Sequence, residues 1–343
     1  MKKFETIRQA RNLAKKKIRK GTFNWLEAAA ENGFTRQVNY DELQKIKILP
    51  KFLKKTKDIN LNKKIFKTVF SCPIVISPMG HQTQFNKFGE IETARGAKKS
   101  KALAFFGTQG RMSIKDIRTK NPNLSFGWEI FPFGNLKWIE NQIKNAEKYR
   151  CNSITICIDA NVRSHRYLDR ESFYDARKFG KRTNPISPEP ELGKFYDWKL
   201  ITFIKKKTKL PVIVKGILTY QDALNAIEYG ASAIWVSNHG GRMFNSGISC
   251  IEALRKISKL KKRRKILILA DGGVEKGSDI IKYMCAGADI VGIGRAAMYG
   301  LILDGGNGVE KIINILKSEL ETAMINGGFD SLSSFTEDRI YEQ

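Results

Sequence analysis

The chain has 343 residues, room for one large domain or two of medium size, and its 42% apolar content suffices for a core. It has no apolar run of the ~18 residues that a membrane span needs, and the charged start Met1-Lys2-Lys3-Phe4-Glu5 lacks a signal peptide's apolar stretch. The net charge of +27 comes from scattered lysines, with clusters at Lys15-Lys16-Lys17, Lys205-Lys206-Lys207 and Lys261-Lys262-Arg263-Arg264. No zinc-finger spacing or RNP-type aromatic pattern accompanies them, so the charge is assigned to solvated helix faces and helix ends, with no nucleic acid as partner.

Residues 1–65 are expected to form a basic, helical N-terminal extension packing on the remainder of the chain. Phe23-Asn24-Trp25-Leu26-Glu27-Ala28-Ala29-Ala30 is a good helix former. Leu49-Pro50-Lys51-Phe52-Leu53 predicts a helix stop and an extended link. From residue 66 to 343, apolar strands alternate with amphipathic helices. The strands are predicted at Pro73–Met79, Ala102–Thr108, Ser125–Phe131, Ser153–Ala160, Pro211–Ile217, Ala233–Gly240, Ile266–Gly273 and Asp289–Arg295. The helices are predicted at Glu90–Ser100, Ile114–Thr119, Leu136–Tyr149, Trp198–Lys207, Tyr220–Tyr229, Cys250–Leu260, Gly277–Ala286 and Gly308–Asn326. Eight strands each followed by a helix predict an α/β fold, a TIM (β/α)8 barrel. The polar, proline-punctuated segment from Asn161 to Asp197 predicts a long loop after strand 4 that acts as a lid on the barrel's active face. The cysteines Cys72, Cys151, Cys157, Cys250 and Cys285 form no CxxC pair and suit reduced thiols of a cytoplasmic protein.

In such a barrel the chemistry lies at the C-terminal strand ends. Strand 6 ends Ser237-Asn238-His239-Gly240-Gly241-Arg242, which sets a titratable base beside a fixed cation. Strands 7 and 8 end Asp271-Gly272-Gly273-Val274 and Gly292-Ile293-Gly294-Arg295. Glycine turns let backbone amides approach a phosphate, and Arg295 is expected to add a forked contact, with Asp271 accepting from ribityl or ribose hydroxyls. Lys215, after Val212-Ile213-Val214, is expected to point into the barrel mouth as a fixed positive charge.

These strand ends, with Pro73–Gly80 and Gly89-Glu90-Ile91-Glu92-Thr93-Ala94-Arg95, resemble those of the FMN-dependent α-hydroxy-acid dehydrogenases and oxidases. The resemblance runs from Phe23 to about Phe335 and implies FMN as cofactor and oxidation of a 2-hydroxy acid to a 2-oxo acid. It implies that His239 is the base, supported by Asp159, and that Arg166 and Arg242 grip the substrate carboxylate. It implies flavin contacts at Pro78, Met79, Gly80, Gly107, Glu129, Cys157, Lys215 and Ser237. The ribityl-phosphate cradle would be Asp271, Gly272, Gly273, Gly294 and Arg295. It also implies a homo-oligomer, tetramer or octamer, and an electron acceptor that is oxygen, a quinone or a protein. No metal is implied.

Several positions depart from the family pattern. Trp25 and Phe131 stand at the usual substrate-site tyrosines, Glu129 at a glutamine, Cys157 at a threonine, Gln109 at an aromatic residue and Glu275 at an arginine. A charged Glu129 would oppose flavin reduction unless protonated. The lost hydroxyls predict a bulkier or more aromatic 2-hydroxy acid, with Tyr167, Tyr174 or His165 of the loop as replacements. The alternative is an FMN-dependent isomerase with no net redox, similar to type 2 isopentenyl-diphosphate isomerase, faintly suggested by Gly107-Thr108-Gln109.

Overall fold

The computed structural model describes residues 4–53, 58–185, 196–262 and 264–341. Strand β1 is Ile74–Ile76, β2 Leu103–Gly107, β3 Phe126–Ile130, β4 Ile154–Cys157, β5 Val212–Ile217, β6 Ala233–Val236, β7 Leu267–Ala270 and β8 Ile290–Ile293. They pair in parallel and close in the order β7-β8-β1-β2-β3-β4-β5-β6. The predicted TIM barrel is therefore the fold. Ile154-Thr155-Ile156-Cys157 and Ala233-Ile234-Trp235-Val236 are buried throughout, because a parallel sheet is covered on both faces. Each strand is shorter than predicted. Pro78 and Met79, for example, leave the ladder and become part of the mouth.

Val75, Leu103, Phe105, Ile213, Trp235, Leu269 and Ile290 fill one buried cluster with Ile65 and Phe70. Those last two belong to a hairpin, Lys63–Ile65 with Thr68–Phe70, that straddles residue 65. Asn152, just ahead of β4, donates to Thr68 Oγ1 at 3.2 Å, so the hairpin sits at the strands' N-terminal end, away from the mouth.

The N-terminal helices are α1 (Ile7–Lys17), α2 (Lys20–Glu27) and α3 (Phe34–Lys45). Helix α2 begins and ends three residues before the predicted helix Phe23–Ala30. Ala28 turns extended (ψ 144°) and frees the carbonyls of the last turn. After α3, Lys47–Ile48 pairs antiparallel with Ile340–Tyr341. The barrel's final helix differs most from expectation. Helix α4 is Glu90–Ser100, α5 Ile114–Lys120, α6 Leu136–Lys148, α7 Tyr167–Glu171, α8 Lys199–Lys207, α9 Tyr220–Glu228, α10 Cys250–Ile257, α11 Gly277–Cys285 and α12 Arg295–Gly327. Helix α12 starts directly after β8 rather than at Gly308, and kinks at Asp304-Gly305, where Gly305 takes φ 53°.

The segment after β4 holds helix α7 and a 3-10 turn at Ala176–Lys178. Its portion 186–195, including Pro188 and Pro190, lies outside the described residues, as does Arg263 of the last basic cluster. The lysine clusters 15–17 and 205–207 occupy the last turns of α1 and α8, as the helix dipole favours. All five cysteines are free and buried.

Candidate active site

The chain after β6 turns sharply. His239 sits at φ 57°, a left-handed conformation costly for a side chain with a Cβ. It is held by its own amide donating to Ser237 Oγ (3.1 Å) and by Asn238, whose amide pairs reciprocally with Asn39 of α3 at 2.9 Å. His239 Nδ1 lies 3.3 Å from Asp159 Oδ1. Cys157 Sγ donates to the same oxygen at 3.0 Å. Burial opposes ionisation of Asp159, but His239 and Lys215 outweigh it and bring its pKa down to about 2. Burial lowers the His239 pKa, Asp159 pulls it back, and Lys215 and Arg242 add to the lowering. The imidazole is thus neutral at neutral pH, with Nδ1–H on the carboxylate and Nε2 free to take a proton.

Arg242 is 8% exposed and its Nη1 donates to the carbonyls of Trp25 (3.0 Å), Leu26 (3.3 Å) and Ala28 (2.8 Å). These are the freed carbonyls at the end of α2, where a cation is favoured. Trp25 packs under the same guanidinium at 4.7 Å and under Arg166 at 5.8 Å. Arg166 Nε pairs with buried Asp169 at 2.9 Å. Both predicted carboxylate-binding arginines therefore meet over Trp25, which supplies a π face where a tyrosine hydroxyl was expected. Phe131 stands edge-on to the His239 ring, 6.0 Å away.

A cavity of about 440 Å³ opens over these groups, lined on another side by Ser77, Pro78, Met79, Gly80, Glu129, Lys215, Asp271, Gly272, Gly273, Gly294 and Arg295. Its chemistry fits FMN. Lys215 is 3% exposed and donates to Ser237 Oγ at 3.2 Å. Burial would strip its proton, but Asp271, Asp159 and Glu129 hold its pKa above the ordinary value. Glu129 Oε1 is buried with no hydrogen-bond partner among the described residues, an acceptor waiting for an N–H such as that of the flavin pyrimidine edge. Burial pushes Glu129 up to about 8, with Asp159 and Asp271 adding to the rise and Lys215 opposing it. At neutral pH it is protonated, so the feared negative charge is absent. Asp271 Oδ2 accepts from Ser77 Oγ (3.1 Å), and Gly272 and Gly273 turn at φ 116° and 73°.

Some expected roles shift. Gly107 does not line the cavity; it lets β2 approach the Glu129 backbone, which a Cβ would strike. Cys157, Ser237 and Asp159 sit behind the cavity wall and position His239 and Lys215. The fork of Arg295 is committed: Nε donates to Leu26 O and Nη2 to Ala28 O and Gly240 O, each at 3.1 Å, leaving Nη1. Tyr167, Tyr174 and His165 do not line the cavity, so they do not replace the missing hydroxyls. Tyr174 instead stacks on Phe179 and donates to Gln84.

Sequence reasoning missed several contributors. Tyr40 lines the cavity and donates to Glu275 at 2.9 Å. Buried Glu27 gathers Arg11 (2.6 Å), Arg36 (2.7 Å) and Tyr299 (2.6 Å) beneath the α2 carbonyls. His81 and Arg111 line the cavity beside β1 and β2. For these last two there was a signal: both lie within four residues of a predicted strand end.

A parallel β/α barrel whose mouth joins a His–Asp pair, a buried lysine and glycine turns suits a flavin-dependent oxidoreductase. The profile described as FMN-dependent dehydrogenase matches residues 14–342, and this chain belongs to that family. FMN is its cofactor. A 2-hydroxyacid oxidase of Dictyostelium discoideum is 29% identical, covering 99% of this chain and 91% of that protein. A 2-hydroxyacid oxidase 2 of Bos taurus is 28% identical, with 96% of each covered. A Pediococcus acidilactici structure described as a lactate oxidase superposes with TM-score 0.93 at 27% identity, covering 100% of this chain and 96% of that one. A soluble mutant of the membrane-associated (S)-mandelate dehydrogenase of Pseudomonas putida shares the fold, with TM-score 0.94 at 24% identity over 99% and 100% of the chains. Among the described residues no helix is long and apolar enough to cross a membrane.

Proposed function

We propose that the protein oxidises a 2-hydroxy acid to the 2-oxo acid, with His239 as the base. The observation that carries this is the His239 imidazole, set 3.3 Å from Asp159 and opening on one cavity with Arg242 and Arg166. Arg166 and Arg242 bind the substrate carboxylate, for which a planar guanidinium has the matching geometry. Nε2 of His239 takes a proton from the substrate, and Asp159 stabilises the imidazolium through Nδ1–H. FMN, when bound, would take up the two electrons and the second proton, so that with the proton on His239 the substrate's loss of two electrons and two protons balances. Lys215 would hold a positive charge against FMN, and the unpartnered Glu129 Oε1 would accept the flavin's N–H. Gly272, Gly273, Gly294 and the remaining Nη1 of Arg295 line the phosphate end. Phe131 and Trp25 exclude water from the reacting centre.

The isomerase alternative draws no support from the family match. Electrons then leave to an acceptor of the oxygen, quinone or protein class. The buried free thiols support a reducing, cytoplasmic compartment, and the family resemblance supports a homo-oligomer, tetramer or octamer. The test of the central reading is His239→Gln in the flavin-loaded protein. A 2-hydroxy acid that bleaches the wild-type flavin anaerobically should leave the variant yellow. Equal bleaching of both would remove His239 from the reaction.

A further inference from the structure

The cavity carries more positive charge than one carboxylate requires. Arg111 follows β2, is 5% exposed, and lines the cavity. Buried Glu90 fixes its backbone: Oε1 accepts from Arg111 N (2.9 Å) and Oε2 from Met112 N (3.2 Å). The guanidinium donates from Nε to His81 Nδ1 (3.2 Å) and from Nη2 to Ala176 O (2.7 Å). Among the described residues Nη1 has no acceptor. Arg182 lines the same region, braced by Nη1 on Asn184 O at 3.2 Å. No carboxylate is within ion-pair distance of either guanidinium among the described residues. Asp175, which lines this side of the cavity, is held by Arg177 at 2.9 Å, and buried Glu90, the acid that acts on both guanidiniums, is taken up by the Arg111 and Met112 amides. His81 reports the resulting potential: burial first, then Arg111, Arg182, Arg166 and Arg242, bring its pKa down to about 3.

This cationic pocket is continuous with the carboxylate grip. The Trp25 ring lies 4.7 Å from the Arg242 guanidinium on one side and 5.7 Å from the His81 ring on the other. His81 in turn accepts from Arg111. One indole and one imidazole therefore separate the two sets of guanidiniums. Arg111 follows β2, which β1 separates from β8, and Arg182 comes from the segment after β4, so neither guanidinium belongs to the glycine turns of β7 and β8 where the cofactor phosphate is placed. An unpaired, nearly buried guanidinium is costly unless an anion completes it.

We propose that the substrate is a 2-hydroxy acid with a second anionic group, carboxylate or phosphate, which Arg111 and Arg182 bind while Arg166 and Arg242 hold the carboxylate beside the reacting carbon. The proposal rests on the 2-hydroxy-acid reading above and replaces the aromatic substrate expected from Trp25 and Phe131. His81, kept neutral, acts as the acceptor that orients Arg111.

The experiment compares kcat/KM of the flavin-loaded enzyme for malate, 2-hydroxyglutarate and 3-phosphoglycerate with that for 2-hydroxybutyrate, 2-hydroxyhexanoate and mandelate. A charge-assisted contact of this kind predicts a dianion preference of about 100-fold. Arg111→Gln should collapse the dianion-to-monoanion ratio by a similar factor, and Arg111→Lys should restore part of it. Which dianion wins separates a carboxylate from a phosphate. A binding readout is independent of turnover: glutarate, which lacks the hydroxyl, should raise the wild-type Tm more than butyrate does, and this difference should vanish in Arg111→Gln. Preference for the monoanions, or an unchanged ratio in Arg111→Gln, overturns this proposal alone. Failure of every 2-hydroxy acid to reduce the flavin overturns the function proposed above, and this inference with it.

Discussion

The mouth of the barrel has two sides built on different terms. At the ends of β4 to β7, Asp159, His239, Lys215 and Asp271 each have a charged, thiol or hydroxyl neighbour within the protein, while Arg242 rests on backbone carbonyls. Asp159 holds His239 and Cys157, Lys215 holds Ser237, and Asp271 holds Ser77. At β1 and β2, with the segment after β4, Arg111 and Arg182 rest on backbone carbonyls and one imidazole. On the proposed reading, the first side is complete before substrate arrives and the second is completed by it, so that reaction type follows from the charges the protein pairs itself and substrate choice from those it leaves open.

Breaking the closed side should cost most. His239→Gln removes the base and should lower kcat/KM by about 10³-fold or more, while the flavin spectrum stays intact; a loss confined to KM would count against a role in the chemistry. Next comes the support beneath the arginines. Glu27→Gln leaves Arg36 buried without its carboxylate and should cost about 3–5 kcal/mol in urea unfolding. Burial works to raise the Glu27 pKa, but Arg36, Arg11 and Tyr299 bring it down to about 2. Its folded pKa lies below the unfolded value, so its contribution is present above the ordinary carboxylate range and is lost as pH falls towards 2. The variant should lack that acid-side loss.

Glu129 gives an effect of opposite sign on the pH axis. Folding keeps it protonated up to about 8 while the unfolded chain has released that proton. Wild-type stability should therefore fall as pH rises from the ordinary carboxylate range to about 8, and Glu129→Gln should flatten that part of the curve. Identical Tm-against-pH curves would show that Glu129 is charged in the fold. The smallest effect is Cys157→Ala, which takes one weak donor from Asp159 and should cost about 1 kcal/mol or less in hydrogen bonding, leaving the pH profile of turnover nearly unshifted.

The closed side was legible in the sequence because its parts sit at the ends of apolar runs. Val212-Ile213-Val214 announces Lys215, and Ala233-Ile234-Trp235-Val236 announces His239. The support of α2 was not legible, because it is made of backbone carbonyls that only a helix ending at Glu27 exposes. The open side was not legible as a site, because His81, Arg111 and Arg182 come from three separate segments that only the fold brings together. Arg295 was placed correctly but its fork was not, since three carbonyls from α2 and the β6 turn claim it. Gly107 was assigned to the flavin by position, whereas close packing against Glu129 accounts for it.

The most direct test is an anaerobic titration of the flavin-loaded protein with 2-hydroxy acids, read by visible absorbance together with assay of the 2-oxo acid formed. The account predicts that at least one acid bleaches the flavin band with one 2-oxo acid produced per flavin reduced. A protein that binds FMN and stays yellow with every 2-hydroxy acid, with or without a second anionic group, would contradict it.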